Sequence, residues 1–367
     1  MALFDPTGLE LLAVGSVKDI HVLEDAHGRG TRILGFRFTD DSSVKDYGKL
    51  PWTTPHKGEA LCAMSVYNFE QLEARGIPTT FIEQIADDAI AVREVAVFDP
   101  ETEPGAMPTH DVLVPIEWII RNVITYTSSA RKRLEAGDLT PRELGLSGMP
   151  EAYPVVLPKA FGDGSTKLRA GDDYLPWDQL CELCQLPVAQ ANTIDIMTRQ
   201  INQYALGRGR EVGYLPFDFK VEWALDSAGD LVLTDVPLAV DEITGAYIGR
   251  FGDLRELMHG GLDVFVPGKN HDPAAAVNAS KQIYRDHYDA AEPGWVAALT
   301  TAKKAGVPKS QYPAAPGVPD ELIHHGSTLF QALANAWCGR EVFPGVASLQ
   351  QASEGYKQWA MGAYEVR

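Results

Sequence analysis

The segment YLPFDFKVEWALDSAGDLVLTD, residues 214–235, constrains the fold more than any other part of the chain. Apolar and charged residues alternate along its first half, and a turn at residues 227–229 separates that half from a second apolar run. Alternation puts successive side chains on opposite faces of a strand, so the segment predicts a β-hairpin in an antiparallel sheet. One face of the first strand then carries Phe217, Phe219, Val221 and Trp223, and the other carries Asp218, Lys220 and Glu222. The hairpin places Asp235 roughly opposite Glu222.

This order of acid, base and acid is suited to a magnesium-bound nucleotide. Carboxylates hold Mg²⁺, the ion bridges phosphate oxygens, and a lysine offsets charge as a phosphoryl group moves. The same alternation is also the ordinary pattern of a half-solvated strand in an exposed antiparallel sheet. The strand by itself leaves both interpretations open.

Hydrophobic periodicity along the rest of the chain predicts a mixed α+β protein. The helix that begins near Gly58 ends at Gly76 with Pro78 just beyond, as a helix end should. Gly- and Pro-rich loops are expected up to about Gly171, and the stretch from Gly252 to Ala276 is expected to be a surface insertion. Further strands are predicted for residues 11–25, 31–40, 90–98 and 112–122, and helices for residues 57–76, 175–206, 280–288 and 319–339.

Charge and hydropathy limit the class of partner. Fifty acidic residues against 32 basic ones give a formal net charge of −18, which argues against general binding to nucleic acid or to an anionic membrane. The most apolar stretch is short and contains Glu117, so no membrane-spanning segment is predicted. The N-terminus shows no secretory signal, and four cysteines suit a reducing cytoplasm. Small-molecule substrates and a cytoplasmic location are therefore expected.

Cys181 and Cys184 form a C-x-x-C pair, which raises the question of a zinc or redox site. A structural zinc site needs four ligands at recognisable spacing, and the sequence has no second pair of this kind. Two partly buried thiols on one helix are the better interpretation.

Nine segments, in order along residues 12–340, are similar to the SAICAR synthetase family. They are GSVKDIH, FTDDSS, KGEALCAMSVYNFEQLEARGIPTTFIE, VPIEWIIRN, SSARKRL, FDFKVEW, LVLTD, SKQIYRDHY and PDEL. The resemblance implies an antiparallel β lobe, an ATP-grasp-like α/β lobe, and C-terminal helices packed back on both. It also implies ATP and Mg²⁺ as cofactors, and the family often forms homo-oligomers. The corresponding ranges are 1–111 for the β-rich lobe, 112–250 for the ATP-grasp-like lobe, and 251–367 for the insertion and the helices.

The resemblance assigns roles to individual positions. Lys18 matches a phosphate-contacting lysine, and residues 91–93, ending in Arg93, match the strand that lines the adenine pocket. Lys220 and Glu222, with Asp235, match the Mg-ATP end of the site, where Lys18, Lys220 and Arg121 would act catalytically. Substrate contacts are implied for Asp41, Ser42, Arg121, Ser129 and Lys132, with Arg133 as a further candidate phosphate contact.

The chain departs from the family pattern after residue 234. The family has an Asp-Glu pair there, followed by Ser-Pro-Asp and an arginine. In one alignment Asp235 is the metal-binding Asp and Val236 replaces its Glu neighbour. In the other, Asp241 and Glu242 supply the pair and Arg250 is the substrate arginine. The sequence leaves both alignments open.

The activity implied is ATP-dependent amide-bond formation through an acyl phosphate. The SAICAR synthetase reaction joins a carboxylated aminoimidazole ribotide to the amino group of aspartate in purine biosynthesis. The altered loop keeps a second interpretation open, a paralogous ligase for another carboxylate and amine. A kinase is disfavoured because H-R-D and D-F-G motifs are absent, and an inactive nucleotide-binding scaffold is a further alternative.

Overall fold

The first sheet is antiparallel and forms the amino-terminal part of the protein. A computed structural model describes residues 2–24, 31–44, 47–98, 107–167, 173–175, 177–240, 243–252, 254–269, 272 and 274–364. The strand order is β1-β2-β3-β7-β6, and the pairing of β2 with β3 agrees with the strands predicted for residues 11–25 and 31–40, although the first of these ranges holds two strands. Residues 27–30, where the sequence HGRG between the two alternating runs predicts a turn, lie outside the described residues. The strands are β1 (Glu10–Val14), β2 (Lys18–Glu24), β3 (Ile33–Phe38), β6 (Phe81–Ala86) and β7 (Ala89–Arg93).

The predicted helix beside this sheet is α1, Lys57–Glu73. Its apolar residues recur at helical spacing, and its side chains from Ala60 to Leu72 pack against β3 and β7. Gly76 has a φ of +80°, a conformation that an L residue rarely adopts, and it ends the turn after the helix as predicted. A small hairpin of β4 (Asp41–Ser43) and β5 (Lys49–Thr53) precedes α1.

The second sheet is built around the hairpin predicted from residues 214–235. Its central strand β10 (Tyr214–Leu225) lies between β8 (Val112–Ile124) and β12 (Ile243–Tyr247), and β11 (Leu231–Thr234) completes the hairpin. The order is β13-β12-β10-β8-β9, where β9 is Val155–Thr166 and β13 is Val277–Asn278. The expectation of loops up to Gly171 was therefore wrong for β9. Its Gly and Pro residues lie in a strand that pairs with β8 along most of its length.

Helices cover the two sheets. The helix predicted over residues 175–206 is two helices, because Pro187 lacks a backbone N–H and begins a new helix. The carboxy-terminal helices pack on the rest of the fold, since α8 contacts both α1 and α9. The α+β class with helices packed back on the sheets is thus confirmed. The helices are α2 (Ser129–Ala136), α3 (Trp177–Leu183), α4 (Val188–Val212), α5 (Leu254–Gly260), α6 (Gln282–Ala291), α7 (Pro293–Lys304), α8 (Asp320–Cys338) and α9 (Leu349–Ala363).

A short backbone ladder joins the two sheets. The N–H of Thr80 donates to the carbonyl of Leu233 at 2.9 Å, and the N–H of Leu233 donates to Pro78 at 2.8 Å. This ladder fixes the end of β11 beside the start of β6, and the pairing of Lys18 with Asp235 shows that the start of β2 also lies near the end of the hairpin. The three sequence ranges 1–111, 112–250 and 251–367 stay a prediction. In the part of the chain that is described, no helix has the length and apolarity needed to span a membrane.

Candidate active site

Charged side chains from three strands and two connecting segments meet at the polar face of β10. Lys220 is at the centre: its Nζ lies 3.1 Å from Oε1 of Glu117, 3.1 Å from Oε1 of Glu222 and 3.8 Å from Oδ2 of Asp235. Lys18 at the start of β2 pairs with Asp235, and Lys167 after β9 pairs with Glu222. We call this set the charge cluster: Lys18, Glu117, Lys167, Lys220, Glu222 and Asp235.

The strand register explains why the cluster needs its lysines. Glu222 of β10 lies directly opposite Glu117 of β8. Like charges in that position repel each other unless cations lie between them. Lys220 donates to both carboxylates, and Lys167 adds a second cation beside Glu222. The sheet thus places carboxylates together and holds them with lysines from distant parts of the sequence.

The charged face of β10 is not the half-solvated surface that alternation alone suggests. Glu222 is only 3% exposed, and its carboxylate contacts Lys220 of the same strand and Lys167 from the segment after β9. Burial, together with the nearby Asp235 carboxylate, raises the pKa of Glu222 despite the lysines. For Asp235, burial also acts to raise the pKa, but Lys18, Lys220 and Lys167 outweigh it and hold that pKa well below its usual range. Asp235 is therefore ionised at neutral pH.

Asp235 owes its position to an unusual backbone and a buried asparagine. Its φ is +65°, and Leu238 also has a positive φ of 56°. The Nδ2 of Asn68 donates to the carbonyls of Pro237 and Leu238 at 3.1 and 3.2 Å, while its Oδ1 accepts from Trp337 and Tyr204. The strained loop after β11 is thus tied to α1, α4 and α8.

A cavity of about 510 Å³ opens beside the charge cluster. We call it the main cavity; Glu117 and Lys220 belong both to its wall and to the cluster. Its other lining comes from β8, β10 and β12, the start of α2, α6, and the loop at residues 264–269.

Arg121 is the buried arginine of this cavity. Its Nε donates to Asp163 at 3.0 Å, its Nη1 donates to Asp218 at 3.1 Å, and its Nη2 donates to the Ser129 hydroxyl at 2.9 Å. Asp218 lies opposite Arg121 in the register of β8 and β10. Burial acts to lower the pKa of Arg121, but Asp218 and Asp163 raise it above its ordinary value. The guanidinium is held in one orientation, with the hydroxyl of Ser129 beside it at the cavity wall.

The predicted residues outside this region lie in several places. Asp41 pairs with Lys49 in the β4–β5 hairpin, where burial acts to raise its pKa, and the hydrogen bonds from Lys49 and Thr39 lower it overall. Ser42 is buried against the Thr54 hydroxyl. Arg93, at the exposed end of β7, donates to the carbonyl of Thr79.

Two further predicted residues lie away from the charge cluster, and one cannot be placed. Lys132 is exposed on α2. Arg250 lines a separate cavity of about 420 Å³ beside Glu354 and Lys357. Asp241, with its neighbour Glu242, lies outside the described residues.

The main cavity also contains residues that the sequence did not point to. The stretch from Gly252 to Ala276, expected to be a surface insertion, contributes Val264, Val266 and Lys269 to the cavity wall, and the two valines are buried. That expectation was wrong. Helix α6, predicted from the sequence as a helix but without a site residue, contributes Arg285 and Asp286, with Lys281 just before its first residue.

Two joined antiparallel sheets, with a cluster of lysines and carboxylates beside a cavity lined by both arginine and acidic side chains, define an α+β protein with a candidate site for a charged small molecule. Residues 11–243 match the sequence profile of SAICAR synthetase, and the chain belongs to the SAICAR synthetase family. The family predicted from the sequence is thus confirmed.

Relatives and solved structures agree with this assignment. A protein of Archaeoglobus fulgidus is 28% identical over 352 residues, which are 90% of this chain and 95% of the relative. The phosphoribosylaminoimidazole-succinocarboxamide synthase of Thermoplasma acidophilum is 27% identical over 91% of this chain and 100% of its own length. The fold is similar to the SAICAR synthase of Saccharomyces cerevisiae complexed with SAICAR, with a TM-score of 0.60, 17% identity, and coverage of 93% of this chain and 98% of that one. A SAICAR synthetase in complex with ADP has a TM-score of 0.50 and 22% identity, and the match covers 70% of this chain and 100% of that structure.

Proposed function

We propose that this protein is an ATP-dependent ligase that joins a carboxylated aminoimidazole ribotide to the amino group of aspartate. The observation that carries the proposal is the position of Lys220, which lies both in the charge cluster and on the wall of the main cavity. A lysine there contacts the phosphates on one side and the substrate carboxylate on the other. Family membership and the ADP complex of a similar structure support ATP as the energy source.

The charge cluster is the proposed phosphate end of the site. Glu222 and Asp235 supply carboxylate oxygens, and Mg²⁺ in proteins is often held by one or two carboxylates together with substrate phosphates and water. The described residues contain no group of three or more His, Cys, Asp or Glu side chains placed to hold a metal ion, which fits an ion bound mainly through phosphate. When bound, Mg²⁺ would offset charge on the transferring phosphoryl group. Lys18 and Lys220 add positive charge beside it, and residues 91–93 are the proposed contact for the adenine base.

The main cavity is the proposed site of acyl transfer. Asp163 and Asp218 hold Arg121 in place, so that its Nη edge and the Ser129 hydroxyl can bind the carboxylate or phosphate of the nucleotide. Phosphorylation of that carboxylate gives an acyl phosphate, and the amine then displaces phosphate to form the amide. The protein contributes mainly orientation and charge stabilisation. Asp41, Ser42 and Lys132 remain proposed substrate contacts of the family pattern, and Arg250 is one only in the alignment in which Asp241 and Glu242 supply the acidic pair.

The direct test is turnover. Purified protein with Mg²⁺, ATP, aspartate and carboxyaminoimidazole ribotide is expected to release phosphate and form a product with the mass of the succinocarboxamide. Omission of aspartate is the control, since the amide cannot then form. Absence of this product, with nucleotide binding intact, would contradict the proposed substrates.

The location of Arg250 favours one second candidate, a ligase of the same chemistry for another carboxylate and amine. In the family pattern an arginine after the altered loop contacts the nucleotide substrate, whereas here Arg250 lines a different cavity from Arg121. Phosphate release with another acceptor pair, and none with aspartate and the ribotide, would identify this alternative.

Arg285 places a cation at the wall of the main cavity, whereas Arg250 lies at the other cavity. The Nε of Arg285 is buried and has no hydrogen-bond partner among the described residues, and the side chain lines the cavity. Unpaired buried donors are costly, so a substrate anion that accepts from Arg285 would be bound strongly. We expect Arg285→Ala to raise the KM of an anionic substrate at least tenfold.

Arg250→Ala is the matched comparison for Arg285→Ala in the same steady-state assay. Because Arg250 lies at the other cavity, we expect its loss to change each KM by less than about threefold. The reverse order of effects would instead favour the alignment in which Arg250 is the substrate arginine.

A further inference from the structure

Helix α6 places a buried carboxylate at the wall of the main cavity. Asp286 is 4% exposed, and it lines the same cavity as Lys220 and Arg121. Its carboxylate accepts from Nε2 of Gln282 at 2.7 Å and from Nδ2 of Asn278 at 3.4 Å, and both of these residues also line the cavity. Among the described residues, no Lys, Arg or His forms an ion pair with it. The other buried acids of the site, Glu222 and Asp163, each have a cationic partner.

The surroundings of Asp286 leave its charge poorly compensated. Burial raises its pKa to about 7, aided by Asp289 on the same helix and opposed by the two amide donors and by Lys269 from the loop at residues 264–269. From the other side, burial raises the pKa values of Tyr356 of α9 and of Tyr364, and the nearby Asp286 charge raises them further. The neighbouring His287 stays neutral, because burial lowers its pKa to about 4. A buried acid of this kind is suited to bind a cation and to exchange a proton near neutral pH.

We propose that Asp286 binds the ammonium group of the amine substrate and accepts the proton that this group must lose before it attacks the acyl phosphate. The inference rests on the proposed ligase function and adds to it the residue that activates the amine. The ammonium transfers one proton to the carboxylate, which gives a neutral amine and a protonated Asp286. The nitrogen lone pair then forms the C–N bond, the C–O bond to phosphate breaks, and phosphate leaves with that electron pair. The second proton of the nitrogen is lost to solvent as the amide forms.

A purely structural role explains Asp286 poorly. A residue needed only to receive hydrogen bonds from Gln282 and Asn278 could be an asparagine, which accepts through its amide oxygen without a buried charge. The carboxylate lies instead on the wall of a cavity that also presents Lys269, Lys281 and Arg285. These cations suit the carboxylates of an acidic amino acid, and Asp286 suits its ammonium group. The two chemistries together fit an amino acid that bears additional negative charge.

Asp286→Asn tests the proposal with two nucleophiles. With aspartate, we expect kcat/KM to fall by about 10²–10³, the usual contribution of a positioned proton acceptor. With hydroxylamine, which is already unprotonated at neutral pH, we expect ATP-dependent hydroxamate formation to stay within about fivefold of wild type. Asp230→Asn, in the exposed turn between β10 and β11, is the control and should leave both rates unchanged.

The pH profile separates proton transfer from mere packing. In the wild type, kcat/KM for aspartate should fall tenfold per pH unit below about pH 7, because Asp286 becomes protonated. Asp286→Glu keeps a carboxylate and should retain that inflection at reduced rate, whereas Asp286→Asn should lose it. An Asn variant with the rate and pH profile of the wild type, or one that loses both nucleophiles equally, overturns the role of Asp286. A wild type that shows no ATP-dependent turnover with either nucleophile overturns the ligase function itself.

Discussion

Lys220→Met is expected to lower kcat by about 10²–10³ while the protein stays folded. Removal of one group that stabilises the charge developing in the transition state usually lowers the rate by a factor of this size. Methionine preserves most of the length of the side chain and removes its charge. Lys220 is 29% exposed at its side chain, so that its loss creates little buried void. Asp235 keeps Lys18 as a partner, Glu222 keeps Lys167, and Glu117 keeps the hydrogen bond that it accepts from the Ser165 hydroxyl. The measurements are single-turnover phosphate release and the thermal unfolding temperature.

Lys159→Met is the matched control for Lys220→Met. Lys159 lies exposed on β9 of the same sheet, outside the charge cluster. We expect it to leave both kcat and the unfolding temperature close to those of the wild type. A Lys220→Met enzyme that turns over at more than a tenth of the wild-type rate would remove Lys220 from the proposed chemistry.

Glu222 shows where an expectation from sequence needs revision. Alternation places Glu222 on a polar face, from which Glu222→Ala would be expected to stop turnover without harming the fold. The structure buries Glu222 against Lys167 and Lys220, so the same substitution removes the ion-pair partner of Lys167 and one of the three carboxylates around Lys220. Breaking a buried pair in this way costs about 3–5 kcal/mol. A loss of activity in Glu222→Ala would therefore arise partly from unfolding of the protein. Lys220→Met is the more specific test of the proposed chemistry.

Local patterns in the sequence predicted the elements and faces that depend on neighbouring residues. The alternation in residues 214–225 is enough to define β10 and its two faces, and the Gly76 signal is enough to end α1. Patterns of this kind act over one strand or one helical turn. They carry no information on which distant segments of the chain pack over a strand.

The missed features all depend on contacts between distant segments. β9 has Gly and Pro within it and is defined by its pairing with β8. Lys167 reaches Glu222 across 55 residues, and Lys18 reaches Asp235 across 217. The loop at residues 264–269 and α6 line the main cavity only because the chain returns to β10 through β12 and β13. The family resemblance supplied Lys18 and Asp235, which periodicity could not have paired.

Arg121→Lys is expected to destabilise the protein by about 3 kcal/mol, although the charge is conserved. Arg121 is 4% exposed and is held by Asp163, Asp218 and Ser129 through different nitrogens of its guanidinium. A lysine ammonium is a single point and cannot reproduce that planar fork, so that hydrogen bonds to charged groups, worth about 1.5–3 kcal/mol each, are lost at Asp218 or Asp163, of which only Asp163 keeps a second arginine, Arg133. We also expect the KM of the carboxylate substrate to rise at least tenfold, because the Nη edge at the cavity wall is lost. Denaturant unfolding and steady-state kinetics measure the two effects.

Arg199→Lys separates this geometric effect from a general cost of exchanging arginine for lysine. Arg199 pairs with Asp195 one turn away on α4, where both side chains are more than a third exposed. Exposed pairs of this type contribute about 0.3–0.5 kcal/mol, so the control should be nearly silent in both measurements. If Arg121→Lys also left the stability and the KM unchanged, the hydrogen bonds from the Arg121 guanidinium to Asp163 and Asp218 would not be what orients this part of the cavity wall. The proposed substrate contact would then have to rest on the Ser129 hydroxyl and the cations of α6 instead.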